Sequence, residues 1–143
     1  MNVCTRAAAI LTCSMMLLGG CATHKADAPP SQTAGPQPLD RESLVLLVND
    51  KTAECRKEKD QSLCTNYFSD DGRFVRLMHE DGAKREGVWF VDDSDRLCIL
   101  WSGRIKPLCF LLYEQADGSY TMIKKGKHIS TLLDSVDGNP KGL

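Results

Sequence analysis

Apolar side chains fall into three regimes along the chain. From Ala7 to Leu18 the residues are uncharged and mostly apolar. From Ala22 to Leu39 large apolar side chains all but vanish, and Pro29, Pro30, Pro36 and Pro38 stand among Ala, Ser, Gln, Thr and Gly. From Asp40 onward apolar positions return with two periodicities. Leu44, Leu47 and Val48 share one face at helical spacing, Asp40 is an N-cap residue type, Glu42 sits in the first turn and Asn49-Asp50 can end the element. That pattern predicts a short amphipathic helix over 40–49, with a strand as the alternative that its β-branched residues leave open.

Beyond the helix the apolar residues occur in segments of strand length, at 52–58, 62–69, 73–79, 85–92, 96–101, 107–115, 119–125 and 128–136. Turn signals cut them about every ten residues, among them Lys59-Asp60, Asp71-Gly72, Asp81-Gly82, Ser102-Gly103, Asp117-Gly118 and Gly126-Lys127. Asp-Gly supplies the positive φ that tight hairpins demand. Regular spacing of this kind predicts an all-β domain, and hairpin connections throughout make sequential strands neighbours. The expected fold is an up-and-down antiparallel meander of about eight short strands, a small barrel or curled sheet, preceded by one short helix. Trp89, Trp101, Phe74 and Phe110 are the expected fillers of its interior.

Cysteine positions bear on the register. A two-residue turn at Lys59-Asp60 sets Cys55 opposite Cys64, and Trp101 facing Lys106 sets Cys98 opposite Cys109. Directly opposite, non-hydrogen-bonded positions bring Cα atoms to about 4.5 Å, within disulfide range. Four cysteines allow three connectivities, and the register favours Cys55–Cys64 with Cys98–Cys109. Neither C-x-x-C spacing nor a nearby His pair occurs, so neither a zinc site nor a redox motif is expected.

The hairpin around those last two cysteines is apolar on both faces. Leu97, Ile99 and Trp101 point one way and Cys98 and Leu100 the other, while Leu108, Phe110 and Leu112 oppose Cys109, Leu111 and Tyr113. A sheet with one wet face would alternate. The expected cover for the second face is the 40–49 helix; left uncovered, it would be a patch for a partner or lipid.

The N-terminus bears on location. A short segment with Arg6 precedes the apolar run, which is too short to span a bilayer comfortably, and the run ends in Leu18-Gly19-Gly20-Cys21. That ending resembles the lipobox of bacterial lipoproteins. The resemblance implies cleavage before Cys21, a diacylglyceryl thioether on its sulfur and acylation of the new amine, so that lipid chains such as palmitate anchor the protein. Ala22 after the cysteine, by resemblance to enterobacterial lipoproteins, implies the outer membrane, with the domain in the periplasm or at the surface. The expected organisation is a signal peptide over 1–20, a lipidated Cys21 with a proline-rich tether over 21–39, and a compact domain over 40–143. Such a tether keeps the domain within roughly 20–25 Å of the membrane on average.

Composition narrows the function classes. With 18 Lys+Arg against 19 Asp+Glu in 143 residues there is no global basic field to hold nucleic acid. Signal cleavage discards Cys4 and Cys13, Cys21 carries lipid, and the remaining four cysteines are those of the two hairpins. His79 and His128 lie near turns without a Ser/His/Asp signature, His24 lies in the tether, and Asp70-Asp71 and Asp92-Asp93 fall in turns, where hairpin roles prevail. No phosphate-cradling glycine loop is present. No catalytic residue, metal or cofactor is therefore expected. Lys124, Lys125 and Lys127 with His128, joined by Lys84-Arg85, form a basic tip suited to anionic lipid or glycan phosphates, and Trp101 is a second candidate contact.

The order Tyr67-Phe68, Asp71-Gly72-Arg73, Gly87-Val88-Trp89, Arg96-Leu97-Cys98, Cys109-Phe110 and Gly138-Asn139-Pro140 resembles small exported proteobacterial domains of unknown function over roughly residues 47–140. The resemblance implies a compact β-domain and the Cys98–Cys109 bridge, with Cys55–Cys64 an addition to that pattern. Together these readings give a non-enzymatic, membrane-anchored lipoprotein whose β-domain binds or scaffolds an envelope protein or glycan. The alternatives are a carrier of a small apolar ligand and an inhibitor of an enzyme such as lysozyme.

Overall fold

The computed structural model describes residues 36–143. The apolar run, Cys21, His24 and most of the tether lie outside the described residues. The elements in order are α1 (Arg41–Val48), β1 (Lys51–Lys57), β2 (Leu63–Phe68), β3 (Arg73–Met78), β4 (Lys84–Val91), β5 (Leu97–Trp101), β6 (Leu108–Glu114), β7 (Tyr120–Lys124) and β8 (Lys127–Asp137). Each strand pairs antiparallel with its neighbour, and β1 also pairs with β8, closing an eight-stranded barrel. No helix among the described residues is long and apolar enough to cross a membrane.

The cysteine registers hold. Cys55 pairs with Cys64 across β1 and β2, and Cys98 with Cys109 across β5 and β6; both pairs are disulfide-bonded, with Cα atoms 4.9 and 4.0 Å apart. The turns that set these registers differ from expectation in length. The first hairpin closes on the Lys57 N–H bonded to Ser62 O at 3.0 Å, with Gln61 at a positive φ, so its loop has four residues and the same register. In the second, the β5–β6 ladder ends at Ile99 opposite Leu108. There the Trp101 carbonyl accepts from the Arg104 N–H at 3.0 Å and closes a turn, while on its other edge Trp101 pairs with Gly87 of β4. The last hairpin turns at Lys125-Gly126, both at positive φ, one residue earlier than the Gly126-Lys127 signal suggested; this is the two-residue geometry that matches strand twist.

The two bridges lie on opposite faces. Cys55 and Cys64 are fully buried within the interior cluster that includes Phe68, Phe74, Leu97, Ile99, Leu112 and Met122. Cys98–Cys109 has the other strand parity and faces outward. Phe68, absent from the expected fillers, sits at the centre of the interior aromatics, with its ring centroid 4.9 Å from Phe74 and 6.1 Å from Trp89. Gly87 faces this cluster: a Cβ there would come within 2.4 Å of the Leu100 carbonyl oxygen, so a glycine is what lets β4 and β5 close beside Phe74 and Trp101.

The helix does not cover the outer face of the β5–β6 hairpin. It packs against β1 and β4 and drives Leu44 and Val48, at 0 % and 1 % exposure, into the interior cluster. The Leu39 N–H donates to Leu112 O at 2.8 Å, and Arg41 Nη2 donates to Asp92 O at 2.8 Å. The helix therefore plugs the barrel end formed by the β2–β3, β4–β5 and β6–β7 turns. An amphipathic stripe shows which helix face is buried and not which apolar surface it meets. Among the described residues no element covers the outer strip of Val88, Phe90 and Leu100 beside Cys98–Cys109, with Val88 43 % and Phe90 39 % exposed.

Candidate functional site

The opposite end of the barrel, where the β1–β2, β3–β4, β5–β6 and β7–β8 turns lie, carries no helix among the described residues. Strand alternation sets Cys64, Asn66 and Phe68 of β2 on the inner face, opposite Met78, Arg76 and Phe74 of β3. A guanidinium thus stands on the inward register of an otherwise apolar strand. Arg76 in turn faces Arg85 across β3 and β4. Like charges directly opposite one another destabilise a sheet unless something compensates.

The compensation within the protein is small. Arg76 Nε donates to Asn66 Oδ1 at 2.7 Å, and its Cζ lies 5.3 Å from the Trp101 ring centroid and 5.7 Å from that of Phe74. Burial pushes the Arg76 pKa down to about 10, with the neighbouring Arg85 charge adding to the effect. Asn66 is fully buried and its Nδ2 has no partner. Among the described residues no carboxylate forms an ion pair with Arg76 or Arg85; Lys57 at the same mouth pairs with Asp60 at 3.0 Å.

Three adjoining clefts share these walls. The largest, about 800 Å³, is lined by Arg85, Glu86, Trp101, Ser102, Arg104, Ile105, Lys106 and Leu108. A second of about 210 Å³ includes Lys57, Arg76, Arg85 and Trp101 together with Glu80 and Asp81, and a third of about 500 Å³ runs from Arg76 past Glu58 to Phe110, Met122 and His128. The rim of the mouth carries more bases than acids, with Glu58, Glu80, Asp81 and Glu86 among the lysines and arginines, one wall is apolar, and no described residue plugs it.

The residues singled out in the sequence lie as follows. Lys124 and Lys127 face each other across the Lys125-Gly126 turn at this same end, so the basic tip, Lys84-Arg85 and Trp101 all gather here. Trp101 is half-buried and forms the floor between Arg76 and the largest cleft. Cys21 lies outside the described residues. Arg76 and Asn66 escaped the sequence reading; their signal was a polar residue at the inward parity of β3 between Phe74 and Met78, and of β2 between Cys64 and Phe68.

Both described histidines meet acids, and His128 also lines the third cleft. His79 Nε2 lies 2.8 Å from Thr65 Oγ1 and 3.3 Å from Glu54, and Lys141 joins the same group. His128 Nε2 lies 2.9 Å from Thr131 Oγ1 and 3.5 Å from Glu58. Thr65 is fully buried and Thr131 nearly so, so these hydroxyls tie strands together and present nothing to a substrate. Asp92 lies within 4.8 Å of the sulfurs of Cys98 and Cys109, and sulfurs joined to each other offer no thiolate to a metal.

Comparison with known protein families, with curated proteins and with solved structures finds no match in any of the three.

Proposed function

We propose that this protein is a non-enzymatic lipoprotein, anchored through Cys21 to the outer membrane, whose barrel binds an anionic component of the cell envelope through its open basic end. The observation that carries the binding part of the reading is Arg76 facing Arg85 with no carboxylate paired to either. Proteins violate local charge rules at functional sites, and an incoming anion relieves this violation. Two disulfides in a small domain suit an oxidising, extracytoplasmic compartment, and the Leu18-Gly19-Gly20-Cys21 sequence supplies the anchor. The packed interior, filled by Phe68, Phe74, Leu97, Ile99, Leu112 and Met122, weighs against an apolar cargo held in the middle of the barrel.

The test has two arms. Cys21→Ala removes the acylation site, and its fractionation should show an unprocessed or mislocalised chain; normal membrane fractionation contradicts the anchor. Residues 22–143 should be retained on isolated envelope fragments at low salt and released at high salt, with retention lost when Arg76 and Arg85 are both replaced by Glu; retention insensitive to salt or to those changes contradicts the basic end as the binding face.

A further inference from the structure

We infer that the mouth at Arg76 and Arg85 is a seat for a single oxyanion-headed amphiphile, an alkyl chain bearing a phosphate or carboxylate, with the head between the two guanidinium groups and the chain along Trp101, Ile105 and Leu108. This names the ligand class for the site proposed above and rests on that reading.

The head is specified by donors. Guanidinium groups present planar forks that match carboxylate and phosphate oxygens. Arg76 spends its Nε on Asn66, which aims the rest of the group away from β2, and Arg85 stands opposite it. Asn66 Nδ2 is a buried donor without an acceptor directly behind Arg76, and an unmet buried donor costs about 1–3 kcal/mol. One anion at this point neutralises the facing charges and offsets the burial of Arg76.

The tail is specified by the wall. Ile105 is 92 % exposed on the β5–β6 loop, and with Trp101 and Leu108 it lines the 800 Å³ cleft, whose polar lining is Arg85, Arg104 and Lys106 with Glu86 and Ser102. A cleft of that size suits a drug-sized ligand whose apolar surface is largely buried. Inorganic phosphate would leave this wall wet, and a neutral amphiphile would leave the guanidinium pair uncompensated. The wall and the forks together therefore select a molecule with both parts.

The barrel closes its own ladder around its own core, so residues 22–143 contain the whole site. Calorimetric titration of that chain below the micellar range uses dodecyl phosphate, dodecanoate, inorganic phosphate and dodecyl maltoside. One-to-one binding of dodecyl phosphate, dodecanoate or both is expected, and whichever binds more tightly distinguishes a phosphate-headed from a fatty-acid source. Inorganic phosphate should bind at least tenfold more weakly and the maltoside not measurably. Arg85→Glu should weaken the acidic amphiphile at least tenfold, whereas Arg73→Gln at the plugged end should leave it unchanged. Equal binding of the maltoside, equal binding of inorganic phosphate, an unaffected Arg85→Glu variant or no binding of either acidic amphiphile overturns the inference. Envelope retention that persists in the last case shows the ligand class to be wrong while the basic end still binds; loss of both removes the binding reading itself.

Discussion

At the plugged end of the barrel the arginines have acid partners, whereas at the open end two cross-strand pairs set like charges opposite each other, although Lys57 there still pairs with Asp60. Asp40, Asp71, Asp92 and Asp117 each accept a backbone N–H within their own turns, from Ser43, Arg73, Ser94 and Ser119. The cations there have acids as well: Arg73 pairs with Asp71 at 2.9 Å, Arg96 with Asp92 at 2.6 Å, and Lys51 with Asp137. At the open end Arg76 faces Arg85, and Lys124 faces Lys127. The same strands supply both ends, so the difference does not come from the barrel. One end is closed by Leu44 and Val48, and the other sets Arg76 opposite Arg85.

The sharpest way to break the comparison is to remove the plug. Leu44→Ala deletes a fully buried side chain and should cost about 2–5 kcal/mol in denaturant unfolding, as large-to-small core changes do; a loss under about 1 kcal/mol would mean that α1 merely rests on the barrel. Trp101→Ala, at the other end, removes a half-buried ring and should cost about 2 kcal/mol, less than full aromatic burial would, while abolishing ligand binding. Arg85→Glu should move stability the other way. It converts a like-charge cross-strand pair into an opposite one and should raise stability by about 0.5–1 kcal/mol, so that stability and binding separate in one variant; a destabilised Arg85→Glu would show that the facing arginines are not in conflict.

The smallest effect per residue is expected in acid. Bonds from the Ser69, Arg96 and Ser119 side chains are the leading causes that hold the Asp71, Asp92 and Asp117 carboxyls below the ordinary 3.8, followed by backbone N–H groups of the same turns. Bonds from the Ser62 hydroxyl and then Lys57 take Asp60 to about 2. A carboxyl depressed by folding stabilises the fold above its unfolded value, and that contribution is lost as pH falls through the folded one. Protection of the Arg73, Ser94, Arg96 and Ser119 amides, taken relative to the intrinsic exchange rate at each pH, should therefore fall between about pH 4 and pH 2, ahead of that of the Arg76 amide in the mouth; simultaneous loss at both ends would show that acid acts globally.

Much of this fold is written locally. The eight strands match the segments between turn signals to within one residue at each end, because each hairpin announces its own positive-φ residue. The cysteines carried the register because covalent pairing demands direct opposition. Contacts between elements distant in sequence were less legible. The 40–49 segment showed an apolar stripe that fits either the barrel end or the outer β5–β6 face, and only closure of the barrel decides between them. Trp101 does not pair with Lys106 because its carbonyl is taken by the Arg104 N–H in a local turn. The basic tip was visible as a run of lysines, whereas Arg76 was hidden in an apolar alternation, where a single charged residue looks like an interruption until Arg85 is set opposite it.

The central claim is that the open end is an anion site and the plugged end is not. Amide and indole shift mapping of residues 22–143 during titration with dodecyl phosphate tests it most directly. The account predicts perturbations at the Arg76, Arg85, Trp101 and Ile105 amides and the Trp101 indole, with the Trp89 indole, which donates to Ser69 O at 2.8 Å, and the Arg73, Ser94 and Ser119 amides unmoved. Shifts centred on the plugged end, or no shifts at all, would contradict it.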